Sequence, residues 1–362
     1  MCTSLLYADA QRRAYLGRTL ELSLELPYQI ARFPRGAEIR SVVEGHPGLQ
    51  WRMDHAVIAV TMPAAMPAPG AAFAPSDLKI IEGVNDAGLA CSVQSYPQAG
   101  GPQAPLDPAR QAISAADIGA FVLGRFSTVA QVKAALADTQ IELSRIPILG
   151  GLQMPFHYGV HDAGGASLVI EFHRGQLAVY DNPVGVMTNA PQFSWHLTNL
   201  NNYAFLSNVD RSRGRFADYA VEQPGSGIAK AGLPGTDTSV DRFVRAAFYA
   251  QFAEKQSDPD LAVQMVAHIM NNFDRPRGIT IDPPGEGSGH LQVAGHDLNT
   301  IPTEFTSWTS LTDLDRRRLY LRGGSGMGYT CFDLPSQAAN PRFSVAPMAH
   351  LMPSMPPPVD LA

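Results

Sequence analysis

The 362-residue chain contains three cysteines, Cys2, Cys91 and Cys331, with no Cys-x-x-Cys spacing among them. So few, and odd in number, they argue against a disulfide framework and against a cysteine zinc site, and they fit reduced thiols. Positive charge is scarce as well. Lys plus Arg total 27 against 33 Asp plus Glu, a net charge of −6 that offers no basic stripe for nucleic acid. No apolar run reaches the roughly 18 residues that a membrane-spanning helix needs. The N-terminus lacks a basic segment followed by an apolar one, and acidic Asp9 comes early, so no signal peptide is expected. The expected setting is cytoplasmic, with neither a nucleic-acid nor a membrane partner. Common catalytic fingerprints are missing too. There is no His-Glu-x-x-His, and Met327 in Gly323-Gly324-Ser325-Gly326-Met327 stands where a nucleophile elbow needs its second glycine. Gly285-Glu286-Gly287-Ser288-Gly289-His290 lacks the third glycine and the preceding strand of a dinucleotide loop. The ten histidines are scattered, and His157 and His161 on one expected strand read as structural. The sequence implies no cofactor and no metal site.

What is present begins with Met1-Cys2-Thr3-Ser4. An initiator methionine is normally removed when a small residue follows, which makes Cys2 an N-terminus. A single residue then carries both a thiol and a free α-amine. The amine titrates near pH ~8 and the thiol near ~8.5, so the amine can take the thiol's proton. Nucleophile and base thus come from one residue, as in N-terminal threonine variants of the catalytic triad.

A composition of 45% hydrophobic and 17% charged residues suits a globular chain with a substantial core. Thr3 to Tyr7 and Ala14 to Thr19 read as a hairpin across a polar turn. With the turn centred near residues 10 and 11, Cys2 and Thr3 lie opposite Arg18 and Thr19. Further strands are expected at 55–62, 77–82 and 89–93, and a meander at 155–188. Residues 114–138 have helical spacing interrupted by a Ser127-Thr128 cap, and helices are expected at 240–252 and 258–272. Residues 208–238 show no clear periodicity and read as an excursion. Strands return near 306–312 and 318–321. This order predicts stacked sheets and helix layers rather than a doubly wound array. One domain over 2–340 is expected, followed by an extended tail at 341–362.

Five segments then occur in order: Cys2-Thr3-Ser4, Gly17-Arg18-Thr19-Leu20-Glu21, Glu82-Gly83-Val84-Asn85-Asp86-Ala87-Gly88-Leu89, Asp181 through Asn189, and Asp241-Arg242-Phe243-Val244-Arg245. Together they resemble the choloylglycine hydrolase family, which groups conjugated-bile-acid hydrolases with penicillin V acylases. The resemblance implies an α+β fold, the four-layer αββα sandwich of N-terminal-nucleophile hydrolases, usually assembled as a homotetramer. It also implies cleavage of linear, non-peptide C–N amide bonds. Cys2 is then the nucleophile. Arg18 holds positive charge beside the sulfur and favours the thiolate. Asn189 donates to the tetrahedral oxyanion, and Arg242 points into the site. Glu21 stands where the family usually has aspartate, accepting from the nucleophile's amine across one extra methylene. Ser95 aligns with the residue whose backbone N–H completes the oxyanion hole. The apolar stretches 62–75 and 146–156, with Leu26-Pro27-Tyr28-Gln29, are expected to line an acyl pocket. The expected partner is a small-molecule amide with an apolar acyl group. Penicillin V-like amides are the first expectation, then conjugated bile acids and N-acyl homoserine lactones. A ligand-binding relative without catalysis is the alternative of another class.

Overall fold

The computed structural model describes residues 1–64, 68, 71–146, 151–281, 303–337 and 340–352. The strands of its two large sheets are β1 (Cys2–Ala8), β2 (Ala14–Leu22), β3 (Gln29–Phe33), β4 (Val57–Pro63), β5 (Leu78–Asn85), β6 (Ala90–Ser95), β7 (Phe156–His161), β8 (Ser167–His173), β9 (Gln176–Asp181), β10 (Val186–Met187), β11 (Phe305–Asp313), β12 (Arg318–Gly323), β13 (Thr330–Asp333) and β14 (Ser344–Pro347). Its principal helices are α1 (Ile118–Arg125), α2 (Val129–Leu136), α3 (Phe193–Asn199), α4 (Ser239–Phe252) and α5 (Pro259–Met270). Among the described residues, no helix is long and apolar enough to cross a membrane.

Two antiparallel sheets carry the fold. One has six strands in the order β10-β1-β2-β11-β12-β13, the other eight in the order β9-β8-β7-β6-β5-β4-β3-β14. Three separate apolar cores account for the layering. One joins α1 and α2 to the outer face of the larger sheet, through Val122, Leu123, Val132 and Ile80. A second fills the space between the sheets, with Leu20, Tyr28, Ile58, Val60, Trp308 and Leu321. A third packs α4 and α5 on the outer face of the smaller sheet, through Phe243, Ala246, Val266 and Met270. Helix, sheet, sheet and helix form the αββα sandwich that the resemblance implied. Strands buried on both faces lose the alternation of a half-exposed strand, which is why β2 is buried at every residue but its last.

Local chemistry fixes the elements. Thr128 caps α2 by accepting from the Gln131 N–H, and Thr238 caps α4 by accepting from that of Asp241. Asp258 caps α5 with Pro259 in the first turn. Gly17 on β2 admits α5 closely, since a Cβ there would lie 2.7 Å from Val266 and 2.8 Å from Met270. Asn85 closes the β5–β6 turn, its Oδ1 accepting from the Ala87 and Leu89 N–H groups and its Nδ2 donating to Leu123 and Phe126 carbonyls.

Two stretches differ from expectation. The excursion at 208–238 contains an exposed hairpin, Arg213–Phe216 paired with Tyr219–Glu222. The expected tail at 341–362 is in part docked. β14 pairs with β3 at the sheet edge, followed by the one-turn helix Met348–Leu351, whose Met348 is buried against the inter-sheet core. β14 gains a ladder of backbone hydrogen bonds that composition does not advertise. Residues 353–362, and with them the proline-rich end, lie outside the described residues, as does Gly285–His290.

Candidate active site

Cys2 opens β1, and the strand register determines which way its thiol faces. Thr3 lies across from Thr19, Cys2 from Leu20 and Arg18 from Ser4, one residue away from a turn centred at residues 10 and 11. Arg12 adopts a left-handed conformation (φ 64°), and Asp9 Oδ1 accepts from the backbone N–H groups of Gln11 and Arg13. Cys2 and Arg18 consequently share the inter-sheet face as diagonal neighbours. The thiol, in a residue only 4% exposed, lines a cavity of about 520 Å³. Parts of both expected pocket segments line it, through Met62, Pro63 and Ala64 and through Ile146, Met154 and Phe156, together with Leu26 and Tyr28. Residues 65–67, 69–70 and 147–150 of those segments lie outside the described residues.

Arg18 is fully buried and held from several sides. Its Nη2 lies 3.6 Å from Cys2 Sγ and also donates to the Val93 carbonyl. Its Nη1 donates to the Ile81 carbonyl at 2.6 Å and to Glu82 Oε2 at 2.9 Å. The Trp308 ring covers the guanidinium 4.9 Å away. Burial pulls the Arg18 pKa down, but the Cys2 sulfur and the Glu82 carboxylate outweigh it and raise it above the usual arginine range.

Glu82, quoted in its motif but given no role there, proves to be the counter-ion that anchors Arg18. Its Oε2 also accepts from Ser92 Oγ at 2.6 Å. The signal was an ionisable residue inside the apolar run Leu78-Lys79-Ile80-Ile81-Glu82-Gly83-Val84. Removing one partner of a buried pair strands the other and costs about 3–5 kcal/mol. A Glu82→Ala variant is therefore expected to melt several degrees lower and to lose at least ~10-fold in kcat/KM, because Arg18 loses its anchor. Thermal melts alongside steady-state kinetics check it; unchanged kinetics would contradict the anchoring.

The other side of Cys2 gathers Asn189, Arg242, Ser95 and Glu21. The Cys2 backbone N–H donates to Asn189 Oδ1 at 2.9 Å, and Arg242 Nη2 donates to the same oxygen at 2.7 Å. Arg242 Nη1 reaches the Cys2 carbonyl and Thr3 Oγ1. Asn189 Nδ2 gives one hydrogen to the Ser95 carbonyl at 2.8 Å, leaving its second available. Tyr96 N–H bonds the Pro155 carbonyl, so the Ser95–Phe156 pair is a non-hydrogen-bonded one. The Ser95 N–H therefore points the same way as its carbonyl, toward Asn189.

Around Asn189 the backbone is clamped. Its N–H donates to Ser239 Oγ at 2.8 Å, and its carbonyl faces His196 Nε2 at 3.0 Å. His157, read from sequence as structural, lies between Glu171 Oε2 and the Thr188 carbonyl.

Met1 is present, so the free amine belongs to it. That amine contacts the Glu21 carbonyl and lies 3.3 Å from Glu304 Oε1. Glu304, also missed from sequence, is in turn held by Arg275 Nη1 at 2.7 Å. Neither Glu21 carboxylate oxygen has a hydrogen-bonding partner of ordinary geometry among the described residues. Burial raises the Glu21 pKa against the opposing pull of the chain's amine, Arg242 and the Thr19 hydroxyl. A raised carboxyl pKa means that the fold favours the protonated form. This contribution is fully present below the unfolded value near ~4.3 and is lost as pH rises through the folded one. In the Met1-bearing protein, Glu21→Gln is accordingly expected to raise Tm at pH 7 by about 2 °C or more, with the gain shrinking toward pH ~4. Melting curves across that range check both size and sign.

The other five residues singled out in the sequence thus gather about Cys2, with Arg18 at its sulfur and Asn189 and Arg242 at its backbone, supported by Glu82 and, at the chain's amine, by Glu304. Among the described residues, no group of His, Cys, Asp and Glu side chains is disposed to hold a metal ion. The chain is 32% identical over 200 residues to a bile salt hydrolase/transferase of Clostridium perfringens, 55% of this chain and 60% of that protein. The match thus spans less than two thirds of that relative's length. In fold it is similar to a variant of the conjugated bile acid hydrolase from Clostridium perfringens, with TM-score 0.78, 22% identity and coverage of 97% and 98% of the two chains. It is likewise similar to the penicillin V acylase from Agrobacterium tumefaciens, with TM-score 0.69, 22% identity and coverage of 95% and 90%. The family model for linear amide C–N hydrolases of the choloylglycine hydrolase family matches residues 2–323, and the chain belongs to that family.

Proposed function

We propose that the protein hydrolyses amides of bulky apolar carboxylic acids, with conjugated bile acids as the leading substrate class, through an acyl-enzyme on Cys2. The observation that carries this reading is the Cys2 thiol beside Arg18 in an apolar-walled cavity of about 520 Å³. That size lies within the ~300–1,000 Å³ typical of sites for drug-sized ligands. A phenoxyacetyl group would leave much of it unfilled, whereas a steroid acyl group matches both its bulk and its apolar walls. The similarity to a protein named bile salt hydrolase/transferase supports the same choice. The substrate order expected from sequence is therefore reversed, with conjugated bile acids ahead of penicillin V.

Cleavage ahead of Cys2 makes its nitrogen an amine, next to Asn189 Oδ1. That amine takes the thiol proton, Arg18 favours the thiolate, and sulfur attacks the amide carbonyl. The oxyanion is stabilised by the second Asn189 Nδ2 hydrogen and the Ser95 N–H. Collapse breaks the C–N bond, with the ammonium group of Cys2 protonating the leaving amine. Water, deprotonated by the same amine, then cleaves the thioester. Arg242 ties the Cys2 carbonyl to Asn189 Oδ1 and so keeps nucleophile and oxyanion donor in one frame. Glu21 supplies negative charge near the new ammonium. The exposed hairpin, where Phe216 and Tyr219 leave large apolar rings in solvent, supports association with further copies of the chain, which the family resemblance makes a homotetramer.

Turnover of glycocholate and penicillin V by the Met1-free protein tests the substrate assignment. Glycocholate is expected to be preferred by at least ~10-fold in kcat/KM. A preference for penicillin V would return the function to the acylase side of the family.

A further inference from the structure

The cavity that opens on Cys2 changes character along its length. Its walls near the thiol are apolar, with Leu20, Leu22 and Val93 beside Arg18, but it is also lined by Lys79, Asp117, Ser114 and Ser144. Lys79 precedes Ile81 on β5 by two residues, and Ile81 is the residue whose carbonyl accepts from Arg18. At ~3.3 Å per residue the Lys79 backbone lies about 7 Å farther along the strand. Its ammonium is turned toward the start of α1, donating to Asp117 Oδ1 at 2.6 Å and to the Ser76 carbonyl at 3.0 Å. Asp117 is nearly buried, and its second oxygen accepts from Ser41 Oγ at 2.8 Å. The Ser114 and Ser144 hydroxyls lie 2.8 Å apart.

A desolvated ion pair is weak evidence for stability, and this one lines a cavity whose walls are otherwise mostly apolar. Its chemistry is specific. Lysine has three N–H donors, and the two contacts above use two of them. Charge is balanced within the Lys79–Asp117 pair, and the other charged lining residues apart from Arg18, namely Arg40, Arg145 and Asp77, are of both signs, so a ligand anion or cation arriving here meets a like charge beside its partner. A neutral hydroxyl meets no such conflict: it can accept from Lys79 Nζ and donate to Asp117 or to a serine oxygen.

We propose that this end of the cavity is a hydroxyl-recognition subsite, so that the preferred acyl group carries a hydroxyl remote from the scissile amide. The proposal rests on the bulky-acyl amide reading above and narrows it to hydroxylated acids. A hydrogen bond to a charged partner, withheld from an analogue lacking the hydroxyl, discriminates by about 10- to 100-fold.

Matched ligands test it without needing turnover. Cholanic acid and its 3-hydroxyl derivative are titrated calorimetrically into Cys2→Ala protein, with and without Lys79→Met or Ser114→Ala. The expected result is about 10-fold or more tighter binding of the hydroxylated acid, with the ratio collapsing toward one in Lys79→Met and falling in Ser114→Ala. Using two variants covers the case in which one fails to fold. Equal binding of the two acids, no binding of either, or a ratio unchanged by both substitutions overturns the subsite. Turnover of the two glycine conjugates by the Met1-free enzyme is scored separately. An intact binding ratio without cleavage counts against the hydrolase reading and leaves the subsite standing.

Discussion

Cys2→Ala is expected to leave a folded protein whose turnover falls by on the order of 10³-fold or more on every amide the wild type cleaves. The exchange removes one sulfur from a residue packed in the inter-sheet core and disturbs little else. It nonetheless deletes the thiol that Arg18 Nη2 reaches. Cys2→Ser is expected to fail almost as badly, because a serine hydroxyl is a far weaker acid and a weaker nucleophile than a thiol. The remaining cysteines are the internal control. Burial pushes the Cys91 thiol far up, and the exposed Cys331 is also raised. Alanine at either position should leave turnover within about twofold, since neither lines the cavity with Arg18. Activity surviving in Cys2→Ala and lost in Cys91→Ala would place the chemistry elsewhere.

The second large effect concerns the bond before Cys2. Inserting a bulky residue such as lysine between Met1 and Cys2 should prevent removal of the methionine. The thiol, Arg18 and the cavity all remain, but the nitrogen of Cys2 stays an amide donor to Asn189 Oδ1 and cannot act as a base. Turnover is expected to drop by ~10²–10⁴-fold, the usual contribution of a positioned general base. Intact mass confirms retention and kinetics give the size. Full activity in a protein of verified retained mass would show that another group takes the thiol proton. The structure suggests how the amine is received once freed. Met1 now occupies the space between Arg242 and Glu304, and the buried Glu21 carboxyl lies within the pull of Arg242 and the chain's amine. An ammonium at Cys2 gives that carboxylate an opposite charge.

Much of this site is legible in the sequence, part of it because the residues are chemically conspicuous and part through ordered motifs that resemble a family. A cysteine at position two and an arginine across a short hairpin stand out against their surroundings, whereas Asn189, Arg242 and Glu21 are named only by the family resemblance. Ser95 is named through the same resemblance, for a role that needs only a backbone N–H, and the strand pairing aims that N–H toward Asn189. Elements with strong local signals were equally plain, including the caps at Thr128 and Asp258 and the apolar spacing of α4 and α5. What stayed hidden depends on long-range contact. Glu82 finds Arg18 across 64 positions and Glu304 finds the N-terminus across 303, and no local pattern encodes either meeting. The hairpin register slipped by one residue because the left-handed Arg12 makes its turn asymmetric. β14 escaped notice because a short edge strand is defined by its partner β3 rather than by its own side chains.

The mechanism turns on a covalent acyl-enzyme at an N-terminal Cys2, and trapping that intermediate is the most direct measurement. The protein is mixed with a slowly hydrolysed amide, quenched in acid, and examined by intact mass and N-terminal peptide mapping. The predicted result is a chain lacking Met1 and heavier by one acyl group, with the addition confined to the peptide that begins at Cys2. An adduct on Cys91 or Cys331, or full turnover by a chain that still carries Met1, would contradict it.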